Sequence, residues 1–284
     1  MHFIMLFHPN FLITPSFSMK ISYKLLIIIL IYSSIQGLAI KAFSDQYADS
    51  YARDNVNLGP LYGRNQAPLL NLYYVMPVTD AGSLGRGRYN FRLDFDISNI
   101  YERHSAGNSI LLYDMEIYRT AFNLTYGVYK DIDIHVEIPM LAFNGGKLDG
   151  PIQDYHDFFG FPNGGRENSP DGIFDYSYKV NGQALFDFPS HGLKLSDSNV
   201  DLKWRLIDDS GRQPAVAARM GIKLPTGQYE DGTGSGEFDY SFGLALSKSH
   251  EELHLFAGLD YNIIKEPAAL STLIDEDIVH FFLG

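Results

Sequence analysis

The chain has 284 residues, a formal charge of −12 and no cysteine. That charge argues against a nucleic-acid partner, whose phosphates it would repel. The lack of thiols excludes a disulfide framework and a thiolate metal site.

Residues 1–44 hold Lys20, Lys24 and Lys41 and no acidic residue. From Met19 a basic start leads into an apolar run, Leu25 to Ile35, and then to the small residues Gly37, Ala39, Ala42 and Ser44. This is the layout of a secretory signal peptide. The run is shorter than the ~20 apolar residues a membrane helix needs. Cleavage is expected after Ala39 or Ser44, with 1–18 an upstream extension of a working start at Met19. Losing 1–44 removes three lysines and takes the charge from −12 to −15. Further on, no apolar run is long enough for a membrane helix, so a mature chain that crossed a bilayer would need strands closed into a barrel.

Residues 45–87 show no steady period. Asn65, Gln66 and Pro68 lead into Leu69–Met76 and then Pro77. A luminal or periplasmic segment is expected here, with a first strand over 69–76 as the alternative.

The barrel is expected over 88–284. In 88–98, Tyr89, Phe91, Leu93, Phe95 and Ile97 fall on one side, while Arg88, Asn90, Arg92, Asp94 and Asp96 fall on the other. A period of two is a strand. The same alternation returns around Tyr118–Tyr126, Ile132–Met140, Val200–Leu206, Val216–Leu224, Phe238–Leu246 and Leu253–Tyr261. A soluble sandwich also alternates, but charges in mid-strand would have to be paired in a small dry core. Aromatics near strand ends (Tyr89, Tyr118, Tyr126, Tyr240, Tyr261) match interface girdles. The pattern predicts an all-β, antiparallel transmembrane β-barrel of about 8–12 strands in the outer membrane of a bacterium.

Loop lengths predict its orientation, because such barrels have short periplasmic turns and long external loops. Tyr129-Lys130, Ile207–Gln213 and Lys248–Glu252 are short; 99–109, 142–198, 225–236 and 263–277 are long and expected outside. The last strand, Ile278–Gly284, is short and lacks a terminal aromatic residue. One or more closing strands are therefore expected beyond it.

Several motifs carry a resemblance. They are Asn65-Gln66-x-Pro68, the Tyr126-Gly127 to Asp131 turn running into Ile138-Pro139, Asp154-Tyr155-His156-x-x-Phe159-Gly160, and Leu224-Pro225-Thr226-Gly227. Together, over about 58–284, the chain resembles a family of bacterial outer-membrane barrels that is catalogued as a domain of unknown function. Its turns are also similar to those of aromatic-hydrocarbon-type outer-membrane transporters. The resemblance implies fold and location, and no catalytic residue.

Arg92, Asp94, His135, Glu137, Lys203 and Arg219 should meet at one depth inside the barrel. They would form either a structural network that fills a narrow lumen or a constriction selecting polar or anionic solutes. In the longest loop, Pro151 and Gly160 bracket a short helix. Its Asp154, Tyr155, His156 and Phe159 are a candidate lid over the mouth, with ordinary loop packing as the alternative. Asp154, His156 and Asp157 have metal-ligand chemistry, but three such residues in one turn arise readily by chance. Gly232-Thr233-Gly234-Ser235-Gly236 is expected as a flexible external loop, since neither lysine nor helix follows it. His254 and Ser241 are the pair a membrane lipid hydrolase would use, without a local signature. No cofactor or metal site is expected. A porin-like or small-molecule transport barrel is the expected function, with a non-transporting structural barrel or a lipid-modifying enzyme as the alternative. Expected partners are outer-membrane lipid, the barrel-assembly machinery during biogenesis and a small solute, with no nucleic acid.

Overall fold

The computed structural model describes residues 2–7, 59–250, 253–267, 270 and 277–284. The signal segment and both cleavage positions lie outside these residues. The strands are β1 (His2–Phe7), β2 (Tyr89–Ala106), β3 (Ser109–Tyr129), β4 (Ile132–Asn144), β5 (Asp175–Val180) and β6 (Gln183–Asp187). They continue with β7 (His191–Leu195), β8 (Ser198–Ile207), β9 (Ala215–Leu224), β10 (Asp239–His250), β11 (Leu253–Ile263) and β12 (Asp277–Leu283). The helix α1 spans Asp149–Phe159.

Nine strands lie side by side as a curled, antiparallel half-barrel in the order β2-β3-β4-β8-β9-β10-β11-β12-β1. Among the described residues, β2 pairs only with β3 and β1 only with β12, so the curl is open between them. No described helix is long and apolar enough to cross a membrane.

The period-two reading holds strand by strand, and its sides are unusual. Phe91, Phe95, Phe122, Phe242, Leu255 and Leu259 face outward and are exposed. Arg119, Glu137, Arg219, Lys223, Asp239 and Asp260 face inward and are buried. The wall is apolar outside and charged inside.

This polarity reverses along the strands. Outward positions of β2 change from Phe95 and Ile97 to Asn99, which bonds Glu116 on the outward face of β3. At the same level the interior becomes apolar: Tyr113, Met115, Ile117, Leu141 and Phe143 pack with Tyr176, Phe186 and Phe188. Tyr176 meets the rings of Tyr113 and Phe143 edge-on at 5.4 and 5.8 Å. Such edge-to-face pairs stabilise beyond their buried area.

Two expected loops prove to be folded. Segment 99–109 is the top of a β2–β3 hairpin turning at Gly107-Asn108, which looked like a loop because its outward residues become polar. Within 142–198, β5 pairs with the top of β3, β6 pairs with β5, and β7 pairs with β4. These strands are short and their aromatic residues serve the inner core, so they show no long alternation.

Residues 59–87 run inside the curl. A 3-10 turn, Pro68–Leu72, gives way to extended chain in which Leu72, Tyr73, Tyr74, Met76 and Ala81 are buried. Over 69–76 the chain forms no strand, and residues 45–58 of the segment lie outside the described residues. It leaves at the short-turn end, where Gly127 bonds Arg88 and Gly87 through its backbone N–H and carbonyl. A Cβ on Gly127 would collide with the Gly85 carbonyl, so the crossing needs glycine in the wall.

Candidate functional site: the charged interior

Strand register sets the inward side chains in rows. Arg92 lies opposite Asn123, Asn123 opposite Glu137, Asp133 opposite Lys203, and Lys203 opposite Arg219. All six expected luminal residues point inward. Most of their partners are other residues than one another.

Glu137, 1% exposed, takes Arg119 as its closest partner and has Arg64 at 3.5 Å. The Tyr62 hydroxyl donates to it at 2.6 Å. Arg92 pairs with Asp94 at 2.9 Å and stacks over the Tyr62 ring at 3.8 Å. His135 stands 2.8 Å from Asp201 through Nδ1 and 3.1 Å from the Asn123 oxygen through Nε2. The Tyr74 hydroxyl also donates to Asp201. A side chain at Gly221 would collide with both Tyr74 and Asp201, so glycine there admits the tyrosine.

Lys203 reaches Asp80 at 3.1 Å and Asp133 at 3.7 Å. Arg219 pairs with Asp260 at 3.2 Å and donates to the Pro77 carbonyl. Nearer the long-loop end, Lys223 lies 2.8 Å from Asp197, 3.1 Å from Asp239 and 2.8 Å from the Leu72 carbonyl. Opposite charges taken out of water are tolerated when paired, and each of these cations has an anionic partner within 4 Å.

Much of this was missed in the sequence. Tyr62, Arg64, Tyr74 and Asp80 sit in the aperiodic segment and meet partners far along the chain. Arg119, Lys223, Asp239 and Asp260 had the right parity; Arg119 and Asp260 also carried the signal of charge inside a strand, while Lys223 and Asp239 lie at strand ends.

Between these groups is a cavity of about 90 Å³, lined by Tyr62, Arg92, His135, Asp201, Lys203 and Arg219 among others. It has room for a few waters or one small polar solute. A larger cleft of about 280 Å³ lies away from these charges, between Lys194-Leu195 and the 226–233 stretch.

The loop Gly232–Gly236 is not a free loop. Thr233 and Ser235 are buried, and Asp197 accepts from the backbone N–H groups of Gly227 and Ser235. Its glycines serve close packing: a Cβ on Gly234 would meet the Asp197 carboxylate.

The bracketed helix forms, starting two residues before Pro151 and ending on Gly160 in the left-handed conformation. Its first residue is tied to the outward face of the β2–β3 hairpin, where Asn99 donates to Asp149 at 2.8 Å. Of the candidate lid residues, Tyr155 and Phe159 contact each other at 4.8 Å and are exposed, as is Asp154, while His156 is half-buried. His156 and Asp157 both bond Asn163, at 3.0 Å each. Among the described residues no group of three His, Asp or Glu side chains is arranged to hold a metal.

His254 and Ser241 are not brought together. Ser241 pairs with Asn262, eight residues along β11 from His254, or ~27 Å at strand rise. His254 instead bonds Ser249 at 2.8 Å.

Residues 38–284 match the family described as "Protein of unknown function (DUF3187)". The chain belongs to that family. A search of curated proteins finds no match. Two motifs noted earlier have structural roles in this DUF3187 member. The Asn65 side chain accepts from the Ala67 N–H at 2.9 Å ahead of the Pro68 turn. Thr226 donates to the Ser196 carbonyl at 2.7 Å beside Gly227.

Proposed function

We propose that this protein is a bacterial outer-membrane β-barrel that passes a small polar solute, with residues 59–87 as its built-in stopper. One observation carries the reading: the wall's outer face is apolar and exposed while its inner face is charged and buried. Water-soluble monomers seldom expose apolar patches beyond a few hundred Å². Outward positions of β4, β8, β9 and β11 carry no Asp, Glu, Lys or Arg, and neither do those of Tyr89–Ile97 in β2, Tyr118–Tyr126 in β3 and Tyr240–Leu246 in β10. A Lys or Arg at mid-bilayer on such a face would cost ~2–4 kcal/mol. The acid-free, apolar start of the chain fits export to that membrane.

The solute class follows from the interior. Arg92, Lys203 and Arg219 border the small cavity with His135, Asp133 and Asp201, a mixed field that suits small polar or anionic molecules. A second reading, a closed structural barrel, is favoured by the ties that hold the stopper: Asp80 to Lys203, Tyr74 to Asp201 and the Leu72 carbonyl to Lys223.

Conductance across liposomes separates the two. The transport reading expects low conductance from the intact chain and a clear rise when Asp80 and Tyr74 are replaced by Ala and Phe. Inserted, heat-modifiable variants that remain silent would leave the closed barrel. Failure to insert at all would remove both.

A further inference from the structure

The helix α1 presents its aromatic residues at the surface, beside Asp154 and Asp157. Its polar Gln153 and His156 are half-buried and bonded to Asp171 and Asn163, at 2.8 and 3.0 Å. Its aromatic side looks out. Phe158 is 81% exposed, and Tyr155, Phe159 and the following Phe161 are exposed beside it. Their rings touch, with Tyr155–Phe159 at 4.8 Å and Phe159–Phe161 stacked at 5.9 Å.

The level at which α1 is tied explains the match. Ile97 is the last outward apolar residue of β2, and Asn99 is the next residue on that face, ~7 Å higher at strand rise. Asn99 bonds Asp149 at the start of α1, and Arg166 beyond the helix bonds Asp149 and lies over the ring of Tyr101, the next outward residue. Glu116, also outward, accepts from the backbone N–H groups of Lys147 and Leu148 at 2.8 and 2.6 Å. Thus α1 lies outside the wall at the height where the apolar band ends.

We infer that α1 is an interfacial anchor whose aromatic face sits in the lipid headgroup layer at the long-loop end. The inference rests on the membrane-barrel reading. Aromatic side chains prefer that layer, where a ring can be half apolar and half wet. Amphipathic helices lie in it with the apolar side down. The exposed side of α1 carries Asp154 and Asp157 and neither Lys nor Arg, so ring burial and not attraction to anionic lipid provides the hold. A lipid partner of zwitterionic headgroup is therefore sufficient.

The chain's one tryptophan, Trp204, faces outward on β8 and reports on the wall by itself. The test compares native protein with Trp204→Phe/Phe158→Trp, and with Trp204→Phe/Phe161→Trp, in phosphatidylcholine vesicles. Bromines are placed either near the headgroup or deep in the acyl chain. We expect Trp204 to be quenched by the deep bromines, and tryptophan at 158 or 161 to be quenched severalfold more by shallow bromines than by deep ones. Emission from 158 and 161 that is open to iodide and blind to both bromines, with Trp204 still quenched, overturns the anchor and spares the barrel. A blue shift at 158 that depends on protein concentration, without bromine quenching, means that a second copy covers the face and also overturns it. An unquenched Trp204 in folded protein removes the barrel reading first.

Discussion

Lys203 of β8 and Asp80 of the 59–87 segment stand 3.1 Å apart, the one a residue of the wall and the other of the chain inside the curl. Both are partly buried, and Lys203 also touches Asp133 at 3.7 Å. Replacing Asp80 with Ala leaves the ammonium Asp133 as its one anion within 4 Å, beside the Thr79 hydroxyl and the residue-80 carbonyl at 3.4 and 3.3 Å. The expected cost is ~1–3 kcal/mol, between that of an exposed pair and that of a dry one. Thermal unfolding should show that loss, and liposome conductance should rise as the segment loosens. An unchanged melting temperature with unchanged conductance would mean that the pair holds nothing in place.

Glu137 is the most heavily committed carboxylate of the interior, serving Arg119, Arg64, Tyr62 and Asn199 together. Glu137→Ala would leave the buried Arg119 with Asp96 at 3.4 Å as its remaining anion. A loss on the order of 3–5 kcal/mol is expected for a dry site. Heat-modifiable gel migration checks it: the folded band should disappear at a lower temperature. A cost of ~1 kcal/mol or less would mean that water fills this part of the lumen.

Gly221→Ala tests how closely the stopper lies on the wall. The added methyl would collide with the Tyr74 hydroxyl and the Asp201 carboxylate, and overpacking of this kind costs ~1–3 kcal/mol. Adding Tyr74→Phe should recover part of the loss, because it removes the colliding hydroxyl. Additive losses in the double variant would show that the two residues do not meet.

At the short-turn end, Lys248 donates to the Asp209 carboxylate and so holds it below the ordinary carboxylate range, and the Ser249 N–H adds to this at 2.8 Å. A lowered folded value stabilises the turn above the unfolded value, ~3.9, and the contribution fades as pH falls through the folded one. Protection of the Ser249 amide from hydrogen exchange should therefore hold down to about pH 4 and fall below it. Asp209→Asn should abolish that step. A step centred near neutral pH would assign the turn's stability to a different group.

The wall was legible because a one-sided environment writes a period of two into every strand, and Phe91 or Leu244 needs no distant partner to be read. The inner segment 59–87 was legible only by exclusion. Tyr74 and Asp80 follow no period, and their meaning comes from Asp201 and Lys203, more than a hundred residues away. The top of the β2–β3 hairpin was lost for a third reason. At Asn99 the outward face turns polar where residues 147–149 bond it, so the same strand goes on under another code. The Gly232–Gly236 stretch was misread since glycine marks close approach as well as flexibility, and only Asp197 decides between them.

Because the chain has no cysteine, one can be introduced at each position of 239–247 in turn and spin-labelled in phospholipid vesicles. Collision with oxygen, which concentrates in lipid, should peak at 240, 242, 244 and 246 and fall at the positions between. A membrane-excluded nickel chelate should reach none of those four peak positions. A scan in which the chelate reaches 242 and 244 freely, or in which oxygen peaks at 241 and 243, would contradict a wall whose outer face lies in lipid.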